Sequence, residues 1–227
     1  MALTQQVEEQ GFAIVPDVLN SRELIPLVVS LADLESRRGQ AGIRHVLGHP
    51  AVSVIANHQR LLGMARTILG GAAFPFRATL FDKSSNANWL VTWHQDTALP
   101  LTEKRATPGW GPWSVKEGVV YAHAPAKALE QVLALRLHLD DSTQENGPLR
   151  VLPGTHKMGV LSDDEVKSQA AERQPVECLI AKGGVVAMRP LIIHASSKST
   201  SQIPRRVLHI EYAGQASIDD ELQLALT

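Results

Sequence analysis

The chain has 227 residues and a net charge of −1, and 44% of its residues are hydrophobic, as in soluble globular domains. Basic and acidic residues nearly balance, so there is no positive excess with which to bind nucleic acid. No apolar run reaches the roughly 18 residues of a membrane span, and the N-terminus has no signal-peptide pattern. The single cysteine, Cys178, excludes an internal disulfide, so a reducing, cytoplasmic location is expected.

The N-terminal part predicts one strand followed by two helices. The apolar run at 11–16 ends at a proline, which is typical of an edge strand. Asn20 and Glu23 form a capping-box pattern for a first helix, although Pro26 favours a start two or three residues later. A second helix is expected to run from Pro50, a good first-turn residue, to a glycine pair about twenty residues on.

From residue 73 onward, short apolar or alternating runs are separated by clusters of Gly, Pro, Asn and Asp, which indicates a series of short strands. Many short strands after two helices predict a mainly β fold, a small barrel or jelly roll with the N-terminal helices packed outside. We expect one domain over 1–227, with an N-terminal strand and helices over about 1–72, a β core over about 73–215 and a C-terminal tail over 216–227.

Two His-x-Asp matches are candidates for a metal site, because side chains two residues apart on a strand point to the same face. In one strongly alternating run, leucines occupy one face while Arg136, His138 and Asp140 share the other. If the leucines face the core, these polar groups form a solvated row, and His209 and Glu211 form a similar one. A site on the leucine-free face would instead make His138 and Asp140 the ligands.

The other match, His94 and Asp96, lies in a tryptophan-rich stretch that suits a lined pocket. His194, at the end of an apolar run, is the candidate third ligand, and Arg205 and Arg206 follow eleven residues on. Two histidines and one carboxylate on a β scaffold form the facial triad of non-haem Fe(II) oxygenases, which leaves positions for a 2-oxo acid and O₂. An arginine fork suits the far carboxylate of 2-oxoglutarate.

Seven segments are together more specific than any single His-x-Asp match: Phe81-Asp-Lys, Asn88-Trp, Trp93-His-Gln-Asp, Leu139-Asp-Asp, Glu145-Asn-Gly-Pro-Leu-Arg-Val-Leu-Pro-Gly-Thr-His, His194 and Arg205-Arg206. With them the chain resembles, over nearly its whole length, the phytanoyl-CoA dioxygenase family of Fe(II)/2-oxoglutarate-dependent oxygenases in its short bacterial-type form. The resemblance implies a double-stranded β-helix (jelly-roll, cupin-like) core with the N-terminal helices outside. It also selects the His94 motif over the His138 motif as the metal site.

The resemblance further implies a role for each matching residue. His94, Asp96 and His194 would bind Fe(II), and Arg205 would hold the distal carboxylate of the cosubstrate 2-oxoglutarate. Arg206 is the alternative if the strand register differs by one residue, because adjacent strand residues face opposite ways.

Four more side chains are candidates near the metal. Ser196 matches a position that contacts the same cosubstrate carboxylate, and Lys83, Gln95 and Trp113 are candidates for the pocket wall. Related halogenases lack the metal-binding carboxylate, so the presence of Asp96 implies hydroxylation rather than halogenation.

The resulting prediction is a dioxygenase that uses Fe(II), 2-oxoglutarate and O₂ to hydroxylate an unactivated C–H bond of a small molecule, with release of succinate and CO₂. Two alternatives stay open: a non-catalytic metal-binding β-barrel sensor, and a zinc-dependent hydrolase with the same ligands. The substrate, an acyl-CoA or another small molecule, does not follow from the fold. The basic pairs Arg37-Arg38 and Lys104-Arg105 are too short to indicate a site for CoA phosphates, and segment 97–128 is expected to form a lid over the metal.

Overall fold

The computed structural model describes residues 1–32, 34, 39, 42–83, 87–219 and 222–227; the predicted basic pair at Arg37 and Arg38 lies outside them. The described helices are α1 (Leu3–Gln10), α2 (Ser21–Ser30), α3 (Pro50–Ala56), α4 (Gln59–Leu69), α5 (Ala126–Leu129) and α6 (Asp163–Glu172). The described strands are β1 (Phe12–Val15), β2 (Phe74–Lys83), β3 (Val91–His94), β4 (Ala98–Leu101), β5 (Trp113–Lys116), β6 (Val119–His123), β7 (Val132–His138), β8 (Leu149–Val151), β9 (Val176–Glu177), β10 (Val185–Met188), β11 (His194–Ser196) and β12 (Arg205–Ala213). In this part of the chain no helix is long and apolar enough to cross a membrane.

Two antiparallel sheets form the core of the fold. The large sheet has the strand order β1-β10-β7-β12-β2, and the smaller one has the order β3-β11-β8-β9. An apolar layer joins them, in which Val186 and Met188 of the large sheet cluster with Leu149 and Val151 of the small one. This is the jelly-roll arrangement predicted from the punctuated strands, and β1 lies at an edge of the large sheet, as its following proline predicts.

The N-terminal helices pack on the outer face of the large sheet. Leu135 of β7 and Leu208 of β12 share one buried cluster with Leu61 of α4. The hydroxyl of Tyr212, also on this face, donates to the carbonyl of Ala56 at 2.9 Å. The leucine faces of these strands are therefore buried under helices rather than between the two sheets.

The opposite faces of β7 and β12 point into the space between the sheets, and the prediction of solvated polar rows is wrong. His138 is completely buried, and Arg136, His209 and Glu211 are nearly so. Only Asp140, beyond the end of β7, keeps partial exposure. The alternation itself is correct, but because helices cover the leucine side, both faces of these strands are buried.

Helix α2 begins at Ser21, directly after its N-cap Asn20, so the predicted delay caused by Pro26 is wrong. Asn20 Oδ1 accepts hydrogen bonds from the backbone N–H groups of Arg22 and Glu23, and the Glu23 carboxylate accepts from the Asn20 N–H at 2.8 Å. This reciprocal capping box fixes the start of the helix, and the proline is accommodated inside it.

The helix expected from Pro50 is divided into α3 and α4 at Asn57 and His58. The Asn57 side chain donates to the Ser53 carbonyl at 2.9 Å, and His58 Nδ1 accepts from the Arg60 N–H at 3.3 Å. These local side-chain contacts cap the two helix ends and compete with a continuous helix.

The third sheet, β4-β6-β5, is built from the segment predicted to be a lid. Trp110 and Trp113 pack against an apolar cluster that contains Leu99 and Leu222, so much of the segment is part of the protein core. Lys116 and Tyr121 of the β5–β6 hairpin, in contrast, line a cavity together with Asp96. Of the segment predicted to be a lid, Lys116 and Tyr121 are thus the described residues that line this cavity.

Candidate metal centre

The three predicted metal ligands meet at the junction of β3 and β11. His94 ends β3 and lies opposite His194, the first residue of β11. Asp96 follows two residues later, and its carboxylate oxygens lie 3.7 Å from His94 Nε2 and 3.6 Å from His194 Nε2. The candidate ligand atoms of all three residues lie within 4.8 Å of one another, a spacing that one metal ion can bridge.

Backbone carbonyls orient both imidazoles. His94 Nδ1 lies 2.8 Å from the Thr92 carbonyl oxygen, and His194 Nδ1 lies 3.0 Å from that of Ile192. Because a carbonyl oxygen only accepts hydrogen bonds, each Nδ1 carries the proton and each Nε2 presents a lone pair. A neutral imidazole held in this tautomer by a second hydrogen bond is typical of metal-binding histidines.

The electrostatics of the cluster favour the same protonation states. Burial lowers the pKa of His194 to about 4, so its imidazole is neutral at physiological pH. Burial alone would raise the pKa of Asp96, but electrostatic interactions with His194, His94, His209 and Arg77 together hold it below its ordinary value. The neutral imidazole of His194 and the ionised carboxylate of Asp96, together with His94, form a donor set that fits Fe(II) in a facial triad.

A cavity of about 400 Å³, called here the cosubstrate cavity, opens beside the three ligands. Its wall carries three cationic side chains, Lys83, Arg136 and Arg205, and among its described lining residues Asp96 is the only carboxylate. Such an excess of positive charge beside a metal suits a ligand with two carboxylates, one at the metal and one at the far wall.

Arg205 is buried in this wall, and one of its hydrogen-bond donors has no partner among the described residues. Its Nε donates to the Asn146 carbonyl at 3.2 Å and its Nη2 to Ser196 Oγ at 3.3 Å. Its Nη1 has no hydrogen-bond partner among the described residues, although the side chain is only 4% exposed. A buried, unpaired guanidinium donor is costly unless a ligand satisfies it, which fits a bound carboxylate.

Lys83 lies next to Arg205 in the same wall. Its ammonium donates to Ser196 Oγ at 2.8 Å and to the Ser197 carbonyl at 2.5 Å, and it lies 5.4 Å from the centre of the Trp89 ring. Burial, with the charge of Arg205 as the next cause, lowers the pKa of Lys83 to about 7. An incoming carboxylate would reverse that effect by pairing with both cations.

The turn between β7 and β8 closes the far side of this wall. Gly147 adopts a left-handed conformation with φ of 68°, and its carbonyl accepts from Ser196 Oγ at 2.8 Å. A Cβ at this position would collide with the carbonyl oxygen of Ser197 and press against Lys83. Glycine is therefore required here both for its backbone conformation and for its lack of a side chain.

Arg206 points away from the cosubstrate cavity. Its Nε and Nη2 donate to the two carboxylate oxygens of Asp140 at 2.8 and 2.7 Å, in a bidentate pair near the surface. Adjacent residues of β12 thus face opposite ways, with Arg205 inside and Arg206 outside.

The remaining predicted pocket residues lie elsewhere. The Gln95 amide donates to the carbonyls of Gly159 and Leu191 and so joins two loops behind the metal centre. Trp113 packs into the apolar cluster of the third sheet. Arg136, in contrast, lines the cosubstrate cavity, although the sequence predicted that it faces solvent. The alternation did place Arg136 on the face opposite the leucines. The error was to take that face as the solvent side of the sheet.

Comparison with known sequences places the chain among oxygenases. The family described as phytanoyl-CoA dioxygenase (PhyH) matches residues 7–207. The L-proline trans-4-hydroxylase of Streptomyces griseoviridis is 30% identical over 222 residues, which cover 85% of this chain and 73% of the relative. The ectoine dioxygenase of Halomonas elongata is 25% identical over 236 residues, which cover 87% of this chain and 65% of the relative.

Solved structures confirm the fold. AviO1 from Streptomyces viridochromogenes Tue57 aligns with a TM-score of 0.70 at 21% identity, over 98% of this chain and 96% of that one. EctD from S. alaskensis, solved with 2-oxoglutarate and 5-hydroxyectoine, aligns with a TM-score of 0.71 at 17% identity, over 93% of this chain and 74% of that one. The predicted double-stranded β-helix core with N-terminal helices is therefore confirmed.

Proposed function

The chain belongs to the phytanoyl-CoA dioxygenase family, and on that premise we propose that His94, Asp96 and His194 hold the iron with which it hydroxylates a small molecule. The enzyme is a non-haem dioxygenase that depends on Fe(II), 2-oxoglutarate and O₂, and neither the sensor nor the zinc-hydrolase alternative is favoured. The bound iron supplies the oxidation of an unactivated C–H bond by O₂, coupled to the conversion of 2-oxoglutarate to succinate and CO₂. The cluster of two imidazoles and one carboxylate within 4.8 Å is the observation that carries the proposal.

The protein's own part in this reaction is to bind and orient. Arg205 holds the distal carboxylate of 2-oxoglutarate with its unpaired Nη1, and Ser196 and Lys83 complete that subsite. The buried position of these groups excludes water from the cosubstrate and strengthens each charge-assisted contact. Asp96 would supply the metal-binding carboxylate that related halogenases lack, so hydroxylation is the expected outcome.

We further propose that residues 1–227 form one oxygenase domain with a small-molecule substrate. The two curated relatives are named for L-proline and for ectoine, both small molecules. Cys178 is buried and, as the single cysteine of the chain, forms no internal disulfide, which is compatible with a cytoplasmic location.

An anaerobic titration tests the metal and cosubstrate site directly. The protein is loaded with Fe(II), 2-oxoglutarate is added without O₂, and the weak visible charge-transfer band of the chelate is followed. We expect a saturable band in the wild type and none in Asp96→Ala, whose iron-dependent succinate formation should fall by more than about 100-fold, since loss of an outer-sphere partner alone costs 10–100-fold. Turnover in Asp96→Ala at the wild-type rate, or a zinc-loaded enzyme that works without O₂, would refute the proposal.

Arg205→Ala and Arg206→Ala form a matched pair for the cosubstrate site. Arg205→Ala should weaken 2-oxoglutarate binding by about 10- to 150-fold, the loss of one charge-assisted interaction of about 1.5–3 kcal/mol. Arg206→Ala removes the pair with Asp140, outside the lining of the cosubstrate cavity, and should leave the affinity unchanged. The opposite ranking in the same titration would assign the cosubstrate to Arg206.

A further inference from the structure

A second cavity, of about 160 Å³, adjoins the metal centre and is called here the hairpin cavity. Asp96 and Phe81 line both this cavity and the cosubstrate cavity, so these two side chains stand between them. A metal held by Asp96 would thus be reached from two directions. Since the proposed function assigns 2-oxoglutarate to the larger cavity, the hairpin cavity is left for the substrate.

Positively charged side chains outnumber negatively charged ones in the wall of the hairpin cavity. Arg77 donates through Nε and Nη2 to the buried Glu211 carboxylate, and through Nη1 to the Ala98 carbonyl at 3.0 Å, so this ion pair is neutral and satisfied. Two more cations line the same cavity, Arg44 and Lys116. Glu211 and Asp96 are the only carboxylates among its described lining residues, so its three cations leave the wall with a net positive charge.

Lys116 is held at the entrance by the β5–β6 hairpin. Glu117 and Gly118 form its two-residue turn with φ values of 50° and 82°, the left-handed pair that tight hairpins require. Lys116 Nζ lies 4.9 Å from the centre of the Tyr121 ring, and the Tyr121 hydroxyl lies 2.8 Å from His45 Nε2. In the described part of the chain no carboxylate is paired with Lys116, whereas Arg44 lies 3.8 Å from Glu117.

We propose that the hairpin cavity is the substrate site and takes a small molecule of amino-acid size that bears a carboxylate, with Lys116 binding that carboxylate. A cation stacked on an aromatic ring and left without an acidic partner is well placed to receive an anion. The cavity is smaller than the roughly 300–1,000 Å³ of pockets for drug-sized ligands, which favours a compact metabolite over an acyl-CoA. The inference rests on the proposed function, because it takes Fe(II) and 2-oxoglutarate as already bound.

Calorimetric titration of the anaerobic protein with Fe(II) and 2-oxoglutarate bound can test this site without turnover. The probes are the proteinogenic L-amino acids, each compared with the amine that lacks its carboxylate, such as L-proline against pyrrolidine. We expect at least one amino acid to bind about tenfold more tightly than its amine, the size of one charge-assisted contact. Lys116→Met should abolish that preference and Lys116→Arg should keep it, while Lys104→Met, on the same segment outside the cavity, should change nothing.

The outcomes separate this inference from the proposed function. If no amino acid is preferred over its amine, or if Lys116→Met keeps the preference, the inference is overturned while the chelate band still supports the dioxygenase. If Lys116→Met loses the amino-acid preference, Lys116→Arg keeps it, and both keep the band at wild-type 2-oxoglutarate affinity, the inference stands. A wild-type protein that forms no band at all overturns the proposed function and this inference with it.

Discussion

The two faces of strands β7 and β12 are buried to the same degree but have opposite chemistry. The outer face packs Leu135, Leu208 and Tyr212 under the helices, and the inner face presents Arg136, His209 and Glu211 to the space between the sheets. The outer face stabilises the fold by removing apolar surface from water. The inner face stabilises little by itself, because each buried charge loses its hydration and has to find a partner. Mutations on the two faces should therefore destabilise the protein for different reasons, an unpaired buried charge on the inner face and a cavity on the outer face.

Removing Glu211 should cause the largest loss of stability on the inner face. Glu211→Leu leaves the partly buried Arg77 without its carboxylate, and breaking such a buried pair costs up to about 3–5 kcal/mol of unfolding free energy. Urea denaturation measures this loss. The double variant Arg77→Met/Glu211→Leu should recover most of it, because a matched apolar pair no longer carries an unpaired charge. A double variant as unstable as the single one would contradict this account of the inner face.

On the outer face, Leu135→Ala should cost about 2–5 kcal/mol, the usual range for a cavity left in a packed core. In the same protein, at a temperature where it is folded, the affinity for 2-oxoglutarate should match that of the wild type. A joint loss of stability and affinity would mean that the two faces are coupled through the strand.

Within any one pH unit, the smallest effect expected is a dependence of stability on pH through Lys83. Its pKa of about 7 in the folded protein lies well below its ordinary value, so between these two values the unfolded chain binds more protons. The unfolding free energy should therefore rise as pH increases from about 7 towards 10, by at most about 1.4 kcal/mol per pH unit. Lys83→Met should lack this rise, and saturating 2-oxoglutarate should reduce it in the wild type by keeping Lys83 charged. If the unfolding free energy of wild type and of Lys83→Met changed with pH in the same way, the lowered pKa of Lys83 would be contradicted.

Much of the fold follows from local signals in the sequence. The capping box at Asn20 determines the start of α2 in spite of Pro26, because its two reciprocal hydrogen bonds outweigh the one backbone donor that the proline lacks. The metal candidates His94 and Asp96 form a short motif, and the distant His194 was a candidate because it ends an apolar run and precedes Arg205 by eleven residues. The structure brings all three together.

The sequence could not reveal which face of a strand is the inner one. Alternating leucines show that a strand has an apolar face, but not whether that face meets helices or another sheet. Arg136 was placed in solvent for this reason, although it lines the cosubstrate cavity. The tryptophans were equally ambiguous: Trp89 lines that cavity, whereas Trp93 packs near α6 and Trp113 in the third sheet.

The backbone at Gly147 limits how the enzyme could be re-engineered. Since no side chain fits there, the close packing of Ser197 and Lys83 against this turn depends on glycine and leaves no residue that can be exchanged. A variant that accepts a shorter or longer oxo acid would have to change Lys83 or Leu149 instead, both of which line the cosubstrate cavity. Libraries aimed at a new cosubstrate should therefore hold this turn constant and vary the side chains that line the cavity.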